Sequence, residues 1–137
     1  MVSLDNPYTK LGKAVRGIHH IYIIMTLILT VYGQLVFKWQ IDKAGPFPQG
    51  LHQIAGYFLK LLIQPWVITS YLAALVASLF WIAALRHFEL SYAYPYMSLT
   101  FGLVLLFSII LFQETASLPK IIGTILIIIG VIIGSQG

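Results

Sequence analysis

Long apolar stretches separated by short polar clusters set the pattern of this chain. An uncharged run of 17 residues, Ile21 to Phe37, opens behind the His19–His20 pair and closes on Lys38. Lys38 lies 18 residues past His20, about 27 Å of helix, so its ammonium reaches the opposite headgroup boundary and snorkels there. The pattern predicts span one at about 18–39. Residues 42–50, DKAGPFPQG, read as a loop by their proline and glycine content. Next, Leu51, Ile54, Ala55, Phe58, Leu61 and Leu62 recur at helical spacing, with Gln53, Tyr57, Lys60 and Gln64 opposite. A segment this short and this polar on one side is predicted to lie in the interface plane as an amphipathic helix over about 51–62.

Pro65 and Trp66, a first-turn proline and an interfacial indole, open span two at about 65–86. Span three follows at 91–112. Ser117 as N-cap and Pro119 open span four, 118–134, a short helix that stands near upright. Crossing hydrocarbon takes roughly 20 apolar residues per helix. The expectation is an all-α fold: a four-transmembrane-helix bundle over 18–137 behind a polar N-terminal tail, 1–17, with an interfacial amphipathic helix between spans one and two.

Composition agrees. Of 137 residues, 59% are hydrophobic and 9% charged, more apolar surface than a small soluble globule can hide. The net charge of +4 comes from lysines and arginines at segment ends, which suits interfacial anchoring and phosphate contacts rather than nucleic acid. The chain has no cysteine, which excludes disulfides and thiolate chemistry. A full-length apolar run with no small-residue cleavage site after it reads as a retained first span, not a signal peptide. Lys10, Lys13, Arg16 and Arg86 fall on one side, Lys38, Lys43, Lys60 and Lys120 on the other. That balance leans only through the tail cluster to an N-terminus inside, and fits pairing with an oppositely oriented partner.

Four groups of residues are candidates for function. Gly123, Ile127, Gly130 and Gly134 recur on one face of span four, a groove for close backbone approach. It serves either a contact within the chain or a dimer seam, and the thin wall of four helices favours the seam. Ser91, Tyr94, Ser98 and Gly102 form a stripe of span three, and Pro95 is placed to bend or free its first turn. Gln34 and Lys38 share a face of span one; Lys38 is either an anchor or a phosphate contact, with Gln34 bonding a sugar or phosphate oxygen. Arg86 and Lys60 are weaker candidates for the same anion, and Arg86 can pair with Glu89. Asp5, Asp42, Glu89 and Glu114 all fall in connections or the tail, so no span carries the buried acid that a proton-coupled cation pump needs. His19, His20, His52 and His87 lie near interfaces. No nucleophile–base set, phosphate loop or metal spacing is present, so no catalytic residue, cofactor or metal site is expected.

Span four, LPKIIGTILIIIGV, resembles the fourth helix of the small multidrug resistance transporters, with their GxxLIxxGV pattern at Gly123, Leu126, Ile127, Gly130 and Val131. GQLVFK (Gly33 to Lys38) and AYPYMSLTFGLV (Ala93 to Val104) resemble one branch more closely, the small paired subunits that flip aminoarabinose–phosphoundecaprenol in bacteria. QET (Gln113 to Thr115) falls where those subunits have an acidic residue. The resemblance covers about 20–40 and 68–136; the extension at 50–62 departs from both branches. The drug-pump branch fits worse: counted from Lys38, its first-helix glutamate falls at Thr30, its drug-sandwiching aromatic at Met97, and its glycine-rich kink at Leu99, Thr100 and Phe101.

The resemblance implies a multi-pass transporter of the bacterial inner membrane, not an enzyme. It would flip a polyprenyl-phosphate glycolipid whose tail stays among membrane lipids while the head slides through a groove lined by spans one to three. The binding residues would be Gln34, Lys38, Tyr94, Ser98, Arg86 and Glu114. The partner would be a second copy or a related small subunit, docked at Gly123, Leu126, Ile127, Gly130 and Val131. Two other readings stand: a proton-coupled multidrug exporter that depends on Glu114, and a non-transporting scaffold for a membrane glycosyltransferase.

Overall fold

The computed structural model describes the backbone of residues 7–136 and the side chains of residues 12 and 15–136. Six helices follow one another: α1 (Pro7–Ala44), α2 (Leu51–Leu62), α3 (Pro65–His87), α4 (Leu90–Met97), α5 (Leu99–Phe112) and α6 (Leu118–Gly134). No strand occurs among the described residues. Three stretches are long and apolar enough to cross a membrane: Val15–Ala44 of α1, Pro65–His87, and Leu90–Phe112 formed by α4 and α5 together. The apolar α6 has 17 residues.

Helix α1 is longer than the hydropathy of span one. Gln40 to Ala44 contain no breaker, so the helix runs past Trp39 and stops only where Gly45 takes φ +81°, a left-handed conformation that ends helices and suits glycine. Pro46 then forbids continuation. The loop expected from Asp42 therefore begins at Gly45, and Asp42 belongs to the helix. Residues 7–17, read as a tail, extend the same helix at its other end; residues 1–6 and the side chains of Lys10 and Lys13 lie outside the described residues. The 38 residues of α1 span ~57 Å against ~30 Å of hydrocarbon, so the helix outruns the apolar layer.

The tightest packing is α1 on α3. Val67, Ser70, Ala73, Ala77 and Ala84 form the buried stripe of α3, and Ile23, Leu27, Val31 and Val36 that of α1. Small side chains let the backbones approach: a Cβ built on Gly33 would sit 3.7 Å from the Ser70 carbonyl oxygen. The Thr26 hydroxyl donates to the Tyr22 carbonyl at 2.8 Å and reaches the Ala77 carbonyl across the interface at 3.4 Å. Tyr32 meets Thr69 at 2.9 Å. Since lipid tails give apolar helices no reason to leave them, such close contacts and hydrogen bonds hold the pair.

Span three is interrupted. Pro95 removes an amide, and the helix re-forms at Ser98, whose N–H and hydroxyl both donate to the Pro95 carbonyl, at 3.1 and 2.7 Å. Gly102 then faces α6, where an added Cβ would lie 3.2 Å from Ile128 Cδ1. Helix α5 ends on Gln113, in the left-handed region at φ 54°. Ser117 holds the N-cap place of α6, but its hydroxyl makes no capping bond. The N2 residue, one usual target of such a bond, is Pro119 and has no N–H; the Ser117 carbonyl instead accepts from the Ile121 N–H at 3.2 Å.

The main helices stand in the order α3, α1, α4–α5, α6, and among the described helices α6 packs on α4 and α5 alone. Neither α5 nor α6 has a buried residue. The expected Arg86–Glu89 ion pair is not found among the described residues, where Lys38 holds both ion pairs present.

Candidate functional site

A groove lies among α1, α3 and α4. This groove of about 440 Å³ takes Thr30 and Gln34 from α1, Ser70 and Ser78 from α3, and Tyr94 and Met97 from α4. Thr26, Thr30 and Gln34 recur every fourth residue, so α1 presents a polar file to an otherwise apolar channel. Most hydroxyls are already engaged: Ser78 donates to the Leu75 carbonyl at 2.6 Å and Ser70 to the Trp66 carbonyl at 3.4 Å. Gln34 and Tyr94 are exposed within the groove, Tyr94 by 65%, and their amide and phenol face whatever enters. The groove lining carries no carboxylate. Thr30, which stands where the drug-pump acid would fall, lines it and does not titrate.

One turn beyond Gln34 on α1, outside the groove lining, stands a charged cluster. Lys38 Nζ lies 3.0 Å from Asp42 Oδ1 and 3.3 Å from Glu114 Oε1, with all three side chains about half exposed. Asp42 arrives by helical spacing. Glu114 arrives by the left-handed turn at Gln113, with its own N–H held by the Ser108 carbonyl at 3.2 Å. The cluster has one ammonium and two carboxylates, net −1. It is an exchangeable set: a phosphate competes for the lysine, and an ammonium competes for the acids.

The structure thus brings Gln34 and Tyr94 to one groove and pairs Lys38 with Glu114 one turn beyond Gln34. It separates two of the other candidates. Ser98 turns to a second groove of about 510 Å³, between α4–α5 and α6, whose lining also includes Ile127, Gly130 and Val131. Arg86, exposed in the last turn of α3, stands at the opposite end of the bundle, beside the His19–His87 stack (ring centroids 3.6 Å apart). On α6, nothing lies within 4 Å of a Cβ added to Gly123 or Gly130, and Leu126 is 62% exposed, so the glycines make no close contact within the chain.

Two features go beyond the sequence reading. Asp42 reads as a loop residue, although its spacing from Lys38 is legible. At the far end, His20 Nδ1 donates to the Arg16 carbonyl at 2.8 Å, which makes its Nε2 the acceptor for the Tyr92 hydroxyl at 3.1 Å. Tyr96 then meets Tyr92 at 3.1 Å. This chain joins residues 72 apart in sequence, and no local pattern announces it.

Against proteins of known name, the chain is 35% identical to the probable 4-amino-4-deoxy-L-arabinose-phosphoundecaprenol flippase subunit ArnF of Serratia proteamaculans, over 81% of this chain and 88% of that one. It is 32% identical to the corresponding ArnE subunit of Aeromonas salmonicida, over 81% and 91%. The chain belongs to this flippase-subunit family. The ArnF subunit of Pseudomonas aeruginosa strain LESB58 is a further relative at 33% identity, over 78% of this chain and 77% of its own. No family model matches the sequence, and no solved structure matches it. With three membrane-length helices, this member of the family is a multi-pass membrane protein. Its relatives bear the names of transport subunits, not of enzymes.

Proposed function

We propose that this protein is one subunit of an inner-membrane flippase that moves a polyprenyl-phosphate-linked amino sugar between leaflets. In this reading all four apolar helices, α6 included, cross the bilayer, and α2 lies in the interface plane. The polyprenyl tail stays in lipid while the head travels the α1–α3–α4 groove. A bare phosphate does not cross hydrocarbon unaided, because the desolvation cost far exceeds what apolar contacts offset. The observation that carries the reading is the Lys38–Asp42–Glu114 cluster one helical turn from Gln34, which with Tyr94 lines the groove. The headgroup named for the relatives has one phosphate and one amine, and the cluster can exchange internal ion pairs for both at once. Lys38 turns to the phosphate, the two acids to the amine, and the sugar hydroxyls bond Gln34 and Tyr94.

The partner is a related small subunit, since both ArnF- and ArnE-named relatives match. The seam is the α6 face of Gly123, Leu126, Ile127, Gly130 and Val131. Lipid translocation in proteoliposomes, with both subunits present, tests the site. Lys38→Ala abolishes flipping while the complex still assembles; normal translocation by that variant overturns the assignment. Efflux of a lipophilic cation driven by a proton gradient would favour the exporter. Full flipping activity of the partner subunit alone would favour the scaffold.

A further inference from the structure

On the other side of α1 lies a pocket that the transport groove does not use. Its volume is about 460 Å³, and it is walled by Gln40 and Lys43 of α1, Tyr57 and Lys60 of α2, and Gln64 and Trp66 at the start of α3. Helix α2 buries Leu61, 8% exposed, and leaves Leu51 and Leu59 open at 90% and 63%, while Tyr57, Lys60 and Leu61 line the pocket. The open apolar side chains suit a lipid exterior beside the pocket.

Every polar side chain in the lining can donate, and none is a carboxylate. Gln40, as a residue, is only 6% exposed. It makes no side-chain hydrogen bond to a described residue, yet none of its polar atoms is both fully enclosed and unsatisfied, so the amide opens into the pocket. Lys43 Nζ lies 4.0 Å from the centre of the Trp39 ring, a cation–π contact that fixes the ammonium without neutralising it. At about 100° per residue, Gln40 and Lys43 fall on the face of α1 opposite Lys38 and Asp42. Asp42 and Glu114 are both committed to Lys38, and among the described residues no carboxylate pairs with Lys43 or Lys60. Two uncompensated ammoniums, two amides and a phenol surround one space. Trp39 packs edge-on against Trp66 at 5.5 Å, which marks the headgroup level.

We propose that this pocket binds the phosphate of an anionic membrane lipid, at a site separate from the Lys38 cluster. Phosphate oxygens match the donor set, and the open apolar side chains of α2 place the acyl chains beside it. The test is calorimetric titration of the full chain in neutral detergent with dihexanoyl-phosphatidic acid, inorganic phosphate and dihexanoyl-phosphatidylcholine. Saturable phosphatidate binding is expected, tighter than that of either comparison ligand. The double variant Lys43→Gln, Lys60→Gln weakens it by about tenfold or more, the loss of a charge-assisted bond. Lys60→Arg retains it, which separates lost charge from lost structure, and Lys38→Ala changes it by less than about twofold. Equal binding of inorganic phosphate overturns the lipid assignment in favour of a free anion. No saturable binding, or sensitivity to Lys38 but not to Lys43 and Lys60, overturns the site. Because Lys38 is tested separately, failure here leaves the flippase reading standing.

Discussion

Two glycines on the facing helices α5 and α6 separate chain stability from subunit association. At Gly102 an added Cβ lies 3.2 Å from Ile128 Cδ1 and 3.8 Å from Thr124 Cγ2. Leucine there must drive the rest of its side chain into the α5–α6 contact, an overpacking that costs about 1–3 kcal/mol. At Gly123 nothing of the same chain lies within 4 Å. Leucine there gains helix propensity, about 0.5–1 kcal/mol in favour of the helix. Thermal unfolding in detergent should therefore move in opposite directions, down for Gly102→Leu and level or up for Gly123→Leu. Association should invert the second result. If α6 docks through this face, the added isobutyl group at Gly123 props the partner away and weakens the complex by about tenfold or more, about 1.4 kcal/mol. Energy transfer between labelled subunits, diluted stepwise into liposomes, reads the midpoint of association. An unshifted midpoint for Gly123→Leu, with the fold intact, refutes the seam.

The charged cluster and the turn that builds it give two further tests. Glu114→Gln leaves Lys38 with one acid, so binding of unsubstituted polyprenyl phosphate should strengthen while the amino-sugar lipid loses its advantage; a competition assay with both lipids measures the ratio, and an unchanged ratio contradicts the exchange. Gln113 holds a left-handed backbone at φ 54°, which costs a residue with a Cβ about 1–2 kcal/mol. Gln113→Gly should raise the unfolding temperature and Gln113→Val lower it, and the reverse order would refute the strain.

Much of this architecture is legible in the sequence because its determinants are local. The apolar spacing from Leu51 to Leu62 returns as α2 with the same bounds, and Pro65 opens α3. Where hydropathy and helicity part company, the sequence misleads. The apolar run ends at Lys38, but the helix ends only at the first residue that breaks it, and that gap conceals Asp42 as the partner of Lys38. The stripe of Ser91, Tyr94, Ser98 and Gly102 presumes one unbroken helix. Across the interruption at Ser98, Tyr94 and Ser98 line the α6-side groove and Gly102 faces α6, while Tyr94 also reaches the α1–α3 groove. That Leu61 alone of the apolar residues of α2 is buried depends on what lies beneath the helix, and no periodicity within twelve residues records that. His20 and Tyr92 meet only because α1 and α4 pack together.

Among the described helices, α6 touches only its two nearest neighbours, and it has no buried residue. If α6 meets lipid and a companion chain, mutations there are judged by these more than by the rest of the molecule. A duplicated copy can thus drift at its outermost rod, acquire a preference for its sibling over itself, and keep its interior unaltered. Relatives carrying two subunit names match this one chain.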